Sequence, residues 1–430
     1  MDISVVGCGY VGTTLAACLA ELGHSVTAVD IDESVIERLD AGQTPFVEPG
    51  LQPLVEAHVG DRLRPTTDMG AIGETAVSFL TVQTPAGEAG RIDIDPLTAA
   101  CADVGTAVGR EGDYHLVVVK STVIPGMASE TLGPVLEEAS GRELGSGIGL
   151  AVNPEFQSQG SAVDDFMAPD KIVLGTAEDR AVGLLRALYE PLISRQDPTV
   201  VETGRREAAM IKYANNVFLA AKLSIINELG NIAKEHDVDS YQVAAAMGAD
   251  DRISARFLRS GAGWGGSCFG KDTAALVGAA AEHGYDARLL KEVIATNDRQ
   301  PERMVQLLER HGDIEGSRVA VLGAAFKPGT DDIRGTRARP VVATLLERAA
   351  VPVVYDPTTA GDRLAAEFDV QAAEAAETAL AGADGALVVT AWEQFEQLDG
   401  AFERMRTPVV VDGRRVIQHR EDIVYEGLTW

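Results

Sequence analysis

Gly7-Cys8-Gly9-Tyr10-Val11-Gly12 follows a strand-like apolar run at residues 2–7 and opens a helix-like stretch over 11–23. That setting commits the start of the chain to a strand–turn–helix unit. Gly7 permits the tight turn, Gly9 lets backbone approach a pyrophosphate, and Gly12 allows close helix–strand packing. A diphosphate would rest on the helix N-terminus, where open N–H groups and the helix dipole favour anions. A second strand, 25–30, ends in Asp30, placed to accept hydrogen bonds from an adenosine ribose diol and to repel a 2′-phosphate. The pattern therefore points to NAD as cofactor, against the plainer reading of a structural glycine turn.

The rest of the chain extends this unit. Further strands are expected at 76–82, 116–119, 149–152 and 172–174, with helical patterns between them at 96–108 and 128–139. From residue 205 to 236 there is no Pro and no Gly before Gly230, and Ile211, Ala214, Phe218, Ala221, Ile225, Leu229 and Ile232 recur at helical spacing. A helix of this length with apolar residues on more than one side spans domains or packs on a second subunit. At Ser317 the strand–turn–helix pattern restarts, with strands at 318–323, 353–356, 386–390 and 408–412. The expected fold class is α/β: two Rossmann-type doubly wound parallel-sheet domains joined by a long-helix connector domain. The expected boundaries are 1–203, 204–311 and 312–430.

Charge narrows the partners. The chain carries 37 basic and 65 acidic residues, a net −28, with 8 Lys against 29 Arg. A field of that sign repels nucleic acid and anionic membranes. It suits a salt-rich cytoplasm, where screening acts over a few ångströms. No run approaches the roughly 20 apolar residues of a membrane span, and the start goes directly into a strand, so a soluble cytoplasmic protein is expected. Cys8, Cys18, Cys101 and Cys268 show neither CxxC pairing nor zinc-like spacing, so no metal is expected.

Cys268 has a different context from the other three. It ends the glycine-rich loop Gly261-Ala-Gly-Trp-Gly-Gly-Ser267, at the expected start of a helix, with Lys271 three residues on. A helix N-terminus and a nearby cation favour the nucleophilic thiolate. The loop's backbone can approach a ligand and point N–H groups at phosphate or sugar oxygens. The competing reading is a small buried hydrophobe, which is assigned to the other cysteines. Lys212 and Asn216 share a face of the long helix, and a lysine there needs a partner, a job, or a route to solvent. Lys120-Ser-Thr122, Asn153-Pro-Glu155-Phe and Phe326-Lys327 through Arg334 each follow a strand, at the carboxyl edge where such sheets bind ligands.

Taken together, Gly-x-Gly-Tyr-Val-Gly at 7–12, Lys-Ser-Thr-Val at 120–123, Asn-Pro-Glu-Phe at 153–156, Lys212-Tyr-Ala-Asn-Asn216, Gly-Gly-Ser-Cys-Phe-x-Lys-Asp at 265–272 and Phe-Lys-x-x-Thr-x-Asp-x-Arg at 326–334 resemble the UDP-glucose/GDP-mannose dehydrogenase family from end to end. The resemblance implies an NAD-dependent four-electron oxidation of a nucleotide-sugar C6 alcohol to the uronate, through a thiohemiacetal and a thioester on Cys268. It further implies that Lys212 and Asn216 support an oxyanion, that Asp272 and Thr122 position or activate water, and that Glu155 serves thioester hydrolysis. By the same carry-over, Gly7, Gly9, Tyr10, Val11, Gly12, Asp30, Thr84, Pro85, Thr122, Lys271 and Arg334 contact NAD. The nucleotide-sugar falls to Glu155, Lys212, Asn216, Arg252, Phe257, Arg259, Gly261, Phe326 and Lys327. A homodimer or higher homo-oligomer is implied. One departure is Gln159, where many relatives carry Glu in a position associated with the cofactor.

Within the family, GDP-mannose is the rival to UDP-glucose, and Ser267 argues against the N-acetylhexosamine branch, where His commonly stands beside the cysteine. The β-hydroxyacid dehydrogenases share the first domain and a Lys/Asn helix, but perform one two-electron step and need neither Cys268 nor a second Rossmann unit. A catalytically silent NAD-linked sensor would not need Lys212, Cys268 and Asp272 together.

Overall fold

The computed structural model describes the 430-residue chain apart from Ala86, Glu88, Ala89, Arg110 and Glu111. It divides into two compact units, Met1–Ala214 and Asn215–Trp430. The division falls inside one continuous helix, Arg205–Lys234.

The first unit is built on eight strands: β1 (Asp2–Val6), β2 (Ser25–Val29), β3 (Leu63–Thr66), β4 (Val77–Leu80), β5 (His115–Val119), β6 (Ile148–Val152), β7 (Lys171–Gly175) and β8 (Thr199–Thr203). Their order is β3-β2-β1-β4-β5-β6-β7-β8. All neighbours are parallel except β6 and β7, which meet antiparallel through Val152 and Gly175. The chain leaves β1 for β2 on one side and reaches β4 on the other, making the crevice at their carboxyl ends the switch point where such folds bind ligands.

The second unit repeats the plan with β9 (Arg318–Leu322), β10 (Val351–Tyr355), β11 (Gln371–Ala372), β12 (Gly385–Val388), β13 (Val409–Asp412) and β14 (Val424–Gly427). They are ordered β11-β10-β9-β12-β13-β14 and all parallel. Helices Phe269–Glu282 and Arg288–Glu309 precede this sheet.

Interior strands are mainly apolar because helices cover both faces; Val77–Leu80 and His115–Val119 are buried at every position. The four strands absent from the sequence reading, β3, β8, β11 and β14, are the four edges of the two sheets. Thr199–Thr203 has no fully buried residue and Leu63–Thr66 only one. An edge strand has one neighbour and half the cover, so its residues need not form an apolar run. On Arg205–Lys234, Phe218 (68% exposed), Ile225 (55%), Leu229 (40%) and Ile232 (52%) form an apolar stripe on the surface of this chain.

Candidate active site

In the first unit the glycine turn is built as expected. Gly7 has φ +98°, and a Cβ on Gly12 would collide with the Gly7 carbonyl, so neither position accepts another residue. A Cβ on Gly9 would meet only the Gln83 amide nitrogen, at 3.8 Å, which leaves room for a ligand on that face. Gly9 caps the Tyr10–Glu21 helix without a side-chain bond, so the first-turn N–H groups point at that space. Asp30 follows β2 and already holds the turn, accepting the Cys8 N–H at 2.5 Å and the Asp32 N–H at 2.9 Å. Thr84 donates to the Thr122 carbonyl at 3.0 Å, joining the loops after β4 and β5, and the Pro85 carbonyl accepts the Asp93 N–H at 2.9 Å. These residues fit a bound dinucleotide. Tyr10 is directed elsewhere: its hydroxyl donates to Glu48, which also accepts the Gly160 and Ala162 N–H groups at 2.7 Å. Burial, then that carboxylate, pushes the Tyr10 hydroxyl above its usual range.

The same unit holds the ion pair Lys212–Glu155, at 2.7 Å, with side chains 5% and 11% exposed. The lysine on the apolar helix therefore has a partner and does not reach for solvent. Burial would raise the Glu155 pKa, but Lys212, the Gln157 N–H (2.7 Å) and Lys120 together bring it below the ordinary value. The Lys212 ammonium also lies 5.6 Å from the centre of the Phe156 ring.

In the second unit Cys268 caps the Phe269–Glu282 helix and is exposed, whereas Cys8, Cys18 and Cys101 are buried. Burial pushes the Cys18 and Cys101 thiols up to about 12 and raises the Cys8 thiol as well, so these three are inert packing groups. One turn past Cys268 stands Asp272, 1% exposed, whose N–H donates to the Cys268 carbonyl at 2.8 Å. Its two carboxylate oxygens accept from Asn216 and Lys271, each at 2.7 Å. The charge of Lys271 is thus directed at Asp272. One cation whose field reaches Cys268 is Arg334, held above its usual pKa chiefly by its fork on Asp332 and more weakly by Cys268.

Part of the glycine loop's backbone is engaged within the second unit. The N–H groups of Gly261, Ala262 and Trp264 go to Asn227, the Gly413 carbonyl and Asn297, at 2.8, 2.9 and 2.7 Å. The glycines also serve close approach. A Cβ on Gly261 would strike the Gly413 carbonyl, one on Gly265 the Gly335 carbonyl, and one on Gly266 would come 2.9 Å from the Phe326 ring. The loop is thereby keyed to the turns after β9 and β13, and Phe326 lies against it. Lys327 is close by, 5.7 Å from the Phe326 ring centre.

The remaining substrate candidates are scattered. Phe257 has φ +62° and faces Phe269 with ring centres 6.4 Å apart. Arg259 lies 5.9 Å from the Tyr241 ring centre. Arg252 points into solvent, 89% exposed and paired with Asp250, so the chain by itself does not bring it to Cys268. Arg414 was missed by the sequence reading. It is half-buried beside Gly261, donates to the Val389 carbonyl at 2.7 Å, and desolvation lowers its pKa to about 10. The signal was available in Asp412-Gly-Arg-Arg at the end of β13, a glycine turn with cations at a sheet's carboxyl edge.

Comparison with known proteins bears on the whole chain. Three models of the UDP-glucose/GDP-mannose dehydrogenase family match in order: its NAD binding domain at residues 1–193, its central domain at 206–299 and its UDP binding domain at 320–419. The chain belongs to the UDP-glucose/GDP-mannose dehydrogenase family. It is 51% identical to UDP-glucose 6-dehydrogenase AglM of Haloferax volcanii, covering 100% of both chains. It is 36% identical to GDP-mannose 6-dehydrogenase of Pseudomonas putida, covering 83% of this chain and 81% of that one. A solved UDP-glucose dehydrogenase from the hyperthermophilic archaeon Pyrobaculum islandicum superposes with a TM-score of 0.91 at 39% identity, covering 100% of this chain and 98% of the other. As a family member, the protein is an NAD-dependent nucleotide-sugar dehydrogenase. Among the described residues, no helix is long and apolar enough to cross a membrane.

Proposed function

We propose that this dehydrogenase oxidises the C6 hydroxyl of UDP-glucose to UDP-glucuronate through a covalent adduct on Cys268. The observation that carries the covalent step is the exposed thiol at the start of a helix, with Asp272 fixed one turn away by Asn216 and Lys271. Bound NAD⁺ supplies the hydride acceptor for each of the two oxidations. The alcohol first loses a hydride and a proton to become the aldehyde. The Cys268 thiolate then adds to the carbonyl carbon, forming a C–S bond, and the oxygen takes up a proton. Loss of a second hydride and that proton gives the thioester. Water attacks the acyl carbon, the C–S bond breaks, and the uronate leaves as the thiolate returns. The adduct keeps the carbon in place between the two oxidations, where a free aldehyde would escape.

Roles follow from chemistry. Lys212 and Asn216, four residues apart on one helix, are proposed as donors to the oxyanion. Asp272, with Thr122, is proposed to orient water, and Glu155, kept ionised by Lys212, to accept its proton. Phe257, Arg259, Gly261, Phe326, Lys327 and Arg414 are proposed for the nucleotide-sugar. UDP-glucose is preferred over GDP-mannose on the full-length likeness to AglM, whose source is a haloarchaeon; the −28 charge matches a salt-adapted protein. The apolar stripe Phe218–Ile225–Leu229–Ile232 is proposed as a homodimer face.

The test is stoichiometry in molar salt with UDP-glucose, UDP-galactose, GDP-mannose and UDP-N-acetylhexosamines. Two NADH per uronate from UDP-glucose is expected, with Cys268→Ser nearly inactive. One NADH with a released aldehyde, or a Cys268→Ser enzyme that keeps most uronate formation, overturns the covalent route.

A further inference from the structure

Lys120, at the end of β5, is a buried lysine for which the family-level reading has no use. Its side chain is enclosed in the first unit, and among the described residues no carboxylate lies within 4 Å of its ammonium. Its hydrogen bond is to Asn153 Oδ1, 2.9 Å away at the end of β6. A neutral amide is a poor exchange for the water an ammonium loses on burial.

Asn153 does not require the lysine for its own sake. Its Oδ1 also accepts the Tyr189 hydroxyl at 2.5 Å, and its Nδ2 donates to the Val173 carbonyl at 2.8 Å. A methionine at position 120 would fill the same space at lower cost to folding. What the lysine adds is charge, hydrogen-bonded to the first residue of the Asn153-Pro154-Glu155 turn. Lys120, Asn153, Glu155, Gln157 and Tyr189 share the wall of one cavity of about 50 Å³. Such a space admits a few waters, at about 10–15 Å³ each. Both polar atoms of the Gln157 amide are buried without a partner among the described residues.

We propose that Lys120 is a positioning residue for Glu155: clamped by Asn153 and backed by Tyr189, it fixes the turn that carries Glu155 and adds to the hold of Lys212 on that carboxylate's charge. The proposal rests on reading Glu155 as part of the catalytic set. Burial pushes the Lys120 ammonium down to about 7, the attraction of Glu155 opposing this and the repulsion of Lys212 adding to it. Charge at this position therefore responds to the same pair it supports. The other ionisable groups around the cavity are Lys171 on β7, Tyr189 on the Asp179–Gln196 helix and Asp165 on the Ala162–Met167 helix.

The experiment compares Lys120→Met, Lys120→Gln and Glu155→Gln for kcat, both KM values, Tm and the pH dependence of kcat with UDP-glucose. Lys120 lowers the Glu155 pKa, so its removal raises that pKa and moves the acid limb of kcat to higher pH. Both lysine variants are expected to lose roughly tenfold in kcat near neutrality, the scale of one charge-assisted hydrogen bond, with KM values and Tm little changed. Glutamine retains a donor for Asn153 but no charge, so wild-type kcat in Lys120→Gln overturns the electrostatic role. An unmoved acid limb in both lysine variants, or a loss of activity that only tracks Tm, also overturns it. If Glu155→Gln keeps wild-type kcat, the reading of Glu155 falls. If Glu155→Gln is crippled while Lys120→Met is not, only the Lys120 proposal falls.

Discussion

Lys212→Met isolates the buried ion pair, and its cost can be worked from the structure. The ammonium and the Glu155 carboxylate are 2.7 Å apart and almost fully enclosed. At an effective dielectric constant of about 20, that separation corresponds to about 6 kcal/mol of attraction. Desolvation of both ions offsets much of it, and truncating one partner of such a pair costs about 3–5 kcal/mol. The variant has an escape: Glu155 can take up a proton. From its ordinary value of 4.5, protonation at pH 7 costs about 3.4 kcal/mol, at about 1.36 kcal/mol per unit, and caps the loss. At pH 5 the same cap falls to about 0.7 kcal/mol. In the wild type the Glu155 pKa is depressed on folding, so the pair's contribution is complete above the unfolded value and is lost as pH falls through the folded one. In Lys212→Met burial raises the folded value, so the variant loses stability as pH climbs from about 4.5 towards it. The expected penalty is about 3 kcal/mol at pH 7, shrinking to about 1 kcal/mol or less at pH 5. Trp264, Trp392 and Trp430 all lie in the second unit, so fluorescence does not report on this event. Hydrogen exchange of β5 and β6 against urea, in molar salt, does. Lys212→Met/Glu155→Gln should recover most of the loss at pH 7. A penalty under about 1 kcal/mol at pH 7, or one that does not change with pH, refutes the reasoning.

Gly266→Ala places a Cβ 2.9 Å from the Phe326 ring at φ +86°, where an L-residue costs about 1–2 kcal/mol; a lower Tm and a raised KM for the nucleotide-sugar are expected, and unaltered values of both would show that the loop is not keyed to Phe326. Phe218→Glu with Ile225→Glu should convert the protein to monomers in light scattering, and an unchanged mass would remove the proposed dimer face. Dilution from molar salt into low-salt buffer should lower Tm as −28 of net charge loses its screening; full stability and activity in dilute buffer would end the salt-adaptation reading.

How far the sequence could be read depended on burial. Interior strands such as His115–Val119 are covered on both faces and announce themselves as apolar runs. Edge strands such as Thr199–Thr203 and Val424–Gly427 carry no comparable signal, because nothing packs on one side of them. Gly7, Gly9, Gly12 and Asp30 were legible because their spacing is dictated by local turn geometry. Cys268 was legible because a glycine loop before a helix is a local motif. Arg414 was passed over because packing sets it next to Gly261, more than 150 positions earlier in the sequence.

By itself, then, the chain's order of residues determined the two Rossmann units and the dinucleotide turn and named most of the candidate site, since each is written in short-range spacing. Only the tertiary structure decided how those groups are paired. Lys212 is matched to Glu155, Asn216 and Lys271 converge on Asp272, the field of Arg334 reaches Cys268, and the N–H groups of Gly261, Ala262 and Trp264 go to Asn227, Gly413 and Asn297. The physical reason is that hydrogen bonds and ion pairs act over about 3 Å, a distance set by packing between segments that spacing along the chain does not specify.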